Sequence, residues 1–298
     1  MSQRTVAAPI GGSAVAARRG VRADRLVGRA AAYLALAVLA VAFLVPAAWL
    51  VSSSFKASTE IFVHPIKWIP ERPMLNNYAD AFTIVPLGRF ALNTGIVVFL
   101  AVLGTVLGSA SVAFSFARLR WPGRDLFFSL LLASMMLPEV VTLIPKFILF
   151  RQLGWIGTFA PLTVPFWFGG TPFFVFLLRQ FYRGLPFELD EAARIDGAGS
   201  FVILTRILLP LSKPALTTVV VFSVLANYND FLHPLVYLNR QENWTLALGI
   251  RLFNDSFAAK WELIFAAATV MLAPMVALFF AAQRYFVQGI QLTGLAGR

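Results

Sequence analysis

Six stretches of this 298-residue chain, 30–51, 90–117, 127–150, 160–178, 214–237 and 264–283, are apolar over lengths that a bilayer demands of a helix. Inside hydrocarbon every backbone N–H and C=O needs an internal partner, so these segments are expected to be helical. The alternation over about ten residues that a barrel strand requires is not visible. Composition agrees: 59% of residues are hydrophobic and 13% charged, against about 25% charged in soluble domains. The expected fold is an all-α integral membrane protein with six transmembrane helices.

Arginine and lysine set the expected orientation. With the N-terminus cytoplasmic, the inner segments 1–29, 118–126, 179–213 and 284–298 hold 16 Lys/Arg, and the outer segments 52–89, 151–159 and 238–263 hold 8. Arg118, Arg120 and Arg124 crowd one short inner loop. Both termini are therefore expected in the cytoplasm. Six arginines (Arg4, Arg18, Arg19, Arg22, Arg25 and Arg29) precede the first apolar stretch. A cleaved signal has an apolar core of only about 7–15 residues. The stretch at 30–51 is longer and reads as a retained helix behind an arginine-rich cytoplasmic tail, 1–29, with the membrane domain over 30–298. The net charge of +11 is dispersed between apolar stretches, without a basic face carrying interleaved aromatics. It reads as topology signal and contact to anionic lipid, and excludes a nucleic-acid partner. With no cysteine there is no disulfide, thiolate metal site or Cys nucleophile.

The inner loop at 179–213 carries the most specific signal. Within Leu185-Pro-Phe-Glu-Leu-Asp-Glu-Ala-Ala-Arg-Ile-Asp-Gly-Ala-Gly199, Pro186 suits a first helical position, where its missing N–H costs nothing. Glu188, Asp190 and Glu191 complement the positive end of a helix dipole, and Gly197 suits a left-handed C′ position. At about 100° per residue, Leu189, Ala192, Ala193 and Asp196 share one face. Two methyl-sized side chains and a carboxylate there predict a surface another protein can approach closely. Pro210 and Pro214 predict a turn before the fifth span.

Glu191-Ala-Ala-Arg-Ile-Asp-Gly197 followed by Pro210-Leu-Ser-Lys-Pro214 resembles the EAA signature of binding-protein-dependent ABC importer permeases. Further landmarks are Asn77-Tyr78, Asn93-Thr94, Phe116-Ala-Arg118, Leu137-Pro138 with Ile144-Pro145, Leu178-Arg-Gln-Phe181, Asn229-Asp230-Phe231 with Pro234-Leu235, and Gln283-Arg-Tyr-Phe-Val-Gln-Gly289. Residues 30 to 294 are most similar to carbohydrate-importer subunits of the maltose-transporter type. Tyr228 departs from the tryptophan common before Asn-Asp, and Gly294-Leu-Ala-Gly297 from the usual basic ending.

The resemblance implies a type I ABC importer permease. Its EAA loop, about 186–214, would dock on a cytoplasmic ABC ATPase dimer through Glu191, Ala192, Ala193, Asp196 and Gly197. ATP-driven closure would move this loop and the attached spans as rigid bodies. It also implies a second permease, a different chain rather than a copy of this one, and an extracytoplasmic solute-binding protein. The solute would be a sugar, sugar alcohol or glycerol phosphodiester.

The chain itself has no Gly-Lys pair, hence no phosphate-cradling loop, and no zinc-protease or Gly-x-Ser-x-Gly motif. It is expected to be no enzyme and to hold no cofactor or metal, ATP-Mg belonging to the partner ATPase. Ionisable groups in spans are costly and often line pathways. Glu139, with Asn229 and Asp230, is the candidate translocation path. Pro138 and Pro145 predict a kinked third span, which either presents Glu139 to a cavity or leaves it at a wet surface. The competing class is an ion-coupled secondary transporter or channel, which needs mid-membrane carboxylates and inverted repeats. One such carboxylate and no clear repeat are visible. A membrane-anchored interaction protein would have no need of proline-broken spans.

Overall fold

The computed structural model describes residues 13–256 and 260–295, with side chains for 28–253 and 260–283. The start of the arginine-rich tail at 1–12 and the terminal 296–298 lie outside the described residues, as do the side chains of the 284–289 landmark. Among the described residues the architecture is entirely helical. Four helical segments are long and apolar enough to span alone: Gly28–Ser54, Leu87–Arg118, Ala160–Gly184 and Trp261–Gln283. Two bent pairs, Arg124–Ser134 with Glu139–Gln152 and Ser200–Leu211 with Lys213–Tyr228, bring the number to six.

The second span, Leu87–Arg118, is the axis of the bundle, packed against the fourth and fifth spans. Its residues Gly104, Thr105, Gly108 and Ser109 are small because the fourth span approaches there in an irregular conformation. The fourth span passes through a 3₁₀ turn, Val164–Phe168, then Gly169 and Gly170 at φ +119° and +64°, before the helix Pro172–Gly184. A Cβ on Gly108 would stand 2.8 Å from the Phe166 carbonyl oxygen. By contrast, residues 33–45 of the first span are exposed, as fits a helix facing lipid or another subunit.

The kink predicted in the third span lies at Pro138. The helices on either side of the Met135–Pro138 break meet at 104°. Pro145 sits within the continuous helix Glu139–Gln152. The fifth segment, expected continuous to 237, ends its first helix at Tyr228 and resumes as Leu232–Tyr237. Asn229 folds back to donate to its own helix at Leu225 O (2.8 Å), and Asp230 accepts the His233 N–H at the next start (3.2 Å). Short polar side chains that bond nearby backbone in this way compete with helix continuation.

Two of the landmarks are asparagine staples at span ends expected to face outward. Asn77 Nδ2 donates to the carbonyls of Ser54 and Lys56 (2.9 Å each), fixing the loop helix Asn76–Ile84 to the end of the first span. Asn93 Nδ2 donates to Glu242 O and Trp244 O (2.8 and 2.9 Å), and Thr94 Oγ1 accepts the Leu246 N–H (2.7 Å). The loop between the fifth and sixth spans is thereby sewn to the second span.

Candidate functional site

The loop at 179–213, expected to face the cytoplasm, contains the helix Glu188–Ile195. The helix begins after Phe187, so Pro186 lies outside it and not at its first position. The reason is local: Asp190 and Glu191 N–H both reach the Phe187 carbonyl (3.0 and 3.2 Å). Three acidic residues occupy its first turn, where they complement the dipole. Its end follows the expectation for Gly197, which stands at φ +83°. Gly197 N–H reaches Arg194 O (3.0 Å) and Ala198 N–H reaches Ala193 O (2.8 Å), the two bonds of a Schellman motif.

The helix faces differ from the expected pattern in one respect. Ala193 is 9% exposed and packs into the core cluster that contains Ala113, Phe116, Tyr182, Ile203 and Leu208. Its methyl lets the helix lie close on its own bundle and is not presented to a partner. Glu188, Glu191, Ala192 and Asp196 are exposed, and Ile195 is 86% exposed beside them. The outward-facing side is thus acidic, with Ala192 as its one small residue and two exposed large apolar side chains, Leu189 and Ile195.

Asp190 points inward and forms a buried ion pair with Arg118, the last residue of the second span (Nε to Oδ2, 3.5 Å; side chains 3% and 1% exposed). The same guanidinium donates to Leu185 O (3.0 Å) and lies over the Phe187 ring. Burial pushes the Asp190 carboxyl above its ordinary range, opposed by Arg118 and Arg194. This pairing is invisible to periodicity, since its halves are 72 positions apart (190 − 118). A landmark arginine closing a span opposite an inward acid was the only available signal. Arg179, in another landmark, lies over the Phe128 ring (3.7 Å) and donates to Phe116 O (3.4 Å). The segment after the helix turns through 81° at Ser212, between Pro210 and Pro214 as predicted.

Of the pathway candidates, Glu139 and Asp230 come together through His233. His233 places Nε2 3.2 Å from Glu139 Oε1 and Nδ1 2.9 Å from Asp230 Oδ2. An imidazole between two carboxylates can donate from either nitrogen. The cluster joins the break of the third span to the break after the fifth. Glu139 remains 64% exposed, while Asn229 bonds only within its own helix. Among the described residues no group of three or more metal-ligating side chains is suitably clustered.

The family model for the binding-protein-dependent transport system inner membrane component matches residues 101–292. The sulfoquinovosyl glycerol transport system permease protein of Agrobacterium fabrum is 32% identical, covering 91% of this chain and 95% of the relative. The diacetylchitobiose uptake system permease protein of Streptomyces coelicolor is 32% identical over 90% of this chain and 89% of its own. The sn-glycerol-3-phosphate transport system permease protein of Brucella abortus is 32% identical over 86% and 93%. Among solved structures, a chain of a bacterial ABC transporter involved in import of the acidic polysaccharide alginate shares the fold. Its TM-score is 0.78 at 22% identity, over 89% of this chain and 98% of that one. An all-helical bundle with proline-broken spans and a capped acidic loop helix, matched over most of its length, identifies the protein: the chain belongs to the binding-protein-dependent transport system inner membrane component family.

Proposed function

We propose that this inner-membrane permease subunit works in an ATP-driven importer of a sugar or sugar-like solute, paired with a different permease chain and served by an external solute-binding protein. The observation that carries the energy-coupling half of this reading is the two-sided Glu188–Ile195 helix. Its inner face is anchored to the bundle through Asp190 and Ala193, leaving Glu191, Ala192, Ile195 and Asp196 turned outward. An anchored helix with an acidic, partly apolar outer face suits a cleft carrying basic groups on a cytoplasmic ATPase dimer. Gly197 then ends the helix sharply, so that the docked element is short and rigid. Magnesium-bound ATP would be held and hydrolysed by that dimer, since this chain has no phosphate loop. Transport follows only if the ATPase grips the helix differently in its open and closed states.

The solute class rests on the relatives, whose systems are named for sulfoquinovosyl glycerol, diacetylchitobiose and sn-glycerol-3-phosphate. Glu139, Asn229 and Asp230 would line its path, where two span breaks meet and backbone groups are freed from helical bonding. The ion-coupled carrier is the weaker reading. Its one candidate carboxylate, Glu139, is engaged by His233.

Glu191→Arg tests the coupling helix. The variant should insert and assemble with the second permease yet lose transport, because a cation replaces an exposed acid on the docking face. Normal solute uptake by Glu191→Arg in cells would remove the helix from the mechanism. Purification from gently solubilised membranes tests the partners: recovery of a homo-oligomer alone, under conditions that keep other ABC complexes intact, would favour the carrier.

A further inference from the structure

We infer that the buried Arg118–Asp190 pair is a rigid joint that makes the Glu188–Ile195 helix and the inner end of the second span one moving body. The inference rests on the reading of that helix as the ATPase-docking element. Covalently, the helix is joined to the fourth span through Leu185, Pro186 and Phe187, a non-helical link. A push on the helix delivered through such a link alone would dissipate in backbone rotation. Arg118 closes the gap. Its guanidinium lies 3.5 Å from the Asp190 carboxylate on the helix, a buried ion pair without a hydrogen bond, and donates to the Leu185 carbonyl in the link, both from the last turn of the second span. Ala193, one turn further on, packs into the same core as Phe116 and Ala113 of that span. Two anchors on one helix face resist both sliding and rotation.

The second span is the right recipient. Higher up, its Gly108 and Ser109 meet the irregular stretch of the fourth span. A displacement of Arg118 is thereby carried, without an intervening loop, to the place where the bundle is least regular. Arg118 and Asp190 act as positioning residues, since neither lies on the outward face.

A covalent tie that mimics the joint distinguishes it from a merely stabilising ion pair. A cavity of about 580 Å³ beside the pair has Arg120, two residues past Arg118, and Arg194 of the helix together in its lining, both exposed. The chain has no cysteine to interfere. In the reconstituted transporter with its binding protein, Arg120→Cys/Arg194→Cys joined by a short thiol-to-thiol cross-linker should transport at the rate of the singly substituted variants treated alike. Loss of transport on cross-linking would mean that helix and span move relative to each other, and the joint would be overturned. In parallel, Asp190→Asn should leave ATP hydrolysis running but lose its stimulation by the loaded binding protein. Retained stimulation and transport in Asp190→Asn would overturn the proposal as well. Should that variant fail to assemble, the cross-linked pair still decides. The two readings fail separately: normal uptake by Glu191→Arg removes the docking helix, whereas uncoupling by Glu191→Arg with a blocked cross-linked pair removes only the joint.

Discussion

Gly108 sits where one methyl group would meet main chain on the neighbouring span: Phe166 O at 2.8 Å and Gly169 N at 3.1 Å. Backbone cannot rotate away as a side chain can, so Gly108→Ala should destabilise the folded subunit by about 1–3 kcal/mol. Gly95 lies on the same helix with nothing within 4 Å of an added Cβ. There the same substitution should stabilise by up to about 1 kcal/mol, through helix propensity alone. The thermal unfolding midpoint of the detergent-solubilised protein reads both, and equal shifts would show that close packing of the spans is not what Gly108 serves. The sequence marks both residues alike, as glycines in an apolar run. Only the neighbour across the interface separates them. Gly197 is the opposite case: a local rule predicted its left-handed conformation, and the structure has it at φ +83°.

At the scale of elements, the loop at 238–246 is tied to the second span by two neighbouring side chains, Asn93 and Thr94. Asn93 satisfies two of the loop's carbonyls, those of Glu242 and Trp244, which lie beyond the reach of the short 3₁₀ turn Gln241–Asn243. Asn93→Ala leaves those acceptors unpaired in a part-buried site, at about 1–3 kcal/mol. The loop should open: trypsin added to the outer side should cleave at Arg240 faster than in the wild type, while the inner loops keep their protection. Unchanged cleavage would assign the loop's order to Thr94 and its packing instead. Element type and order were legible from the apolar runs and prolines, and the breaks at Pro138 and between Pro210 and Pro214 fall where backbone chemistry puts them. The break after Tyr228 was not anticipated, because it comes from Asn229 and Asp230 bonding locally, which hydropathy does not register.

For the whole molecule, the arginine distribution implies that the 118–126 loop is cytoplasmic and the 238–263 loop external. A cysteine-free chain makes this directly testable. Arg240→Cys should react with a membrane-impermeant maleimide in intact cells, and Arg120→Cys only after the membrane is opened. The reverse pattern would invert the protein and move the Glu188–Ile195 helix away from any cytoplasmic ATPase. The exposed apolar stretch of the first span, including Tyr33, Phe43 and Leu44, also belongs to this scale. A single subunit leaves it uncovered, and lipid or a second permease must cover it.

The amino-acid sequence by itself determined that the chain lies in a membrane, where its apolar segments run, which breaks fall at proline, and where the acidic loop helix ends. These are properties of hydrocarbon thickness, missing proline N–H groups and glycine backbone freedom, all of which act within a few residues. Tertiary structure alone decided which face of that helix looks outward, burying Ala193 and Asp190 and exposing Ile195. It also brought Glu139 and Asp230 together on His233 and closed Arg118 onto Asp190. Such pairings join residues far apart in the chain. Periodicity assigns a residue to a face of its own helix, but the partner of that face is set by how separate helices pack.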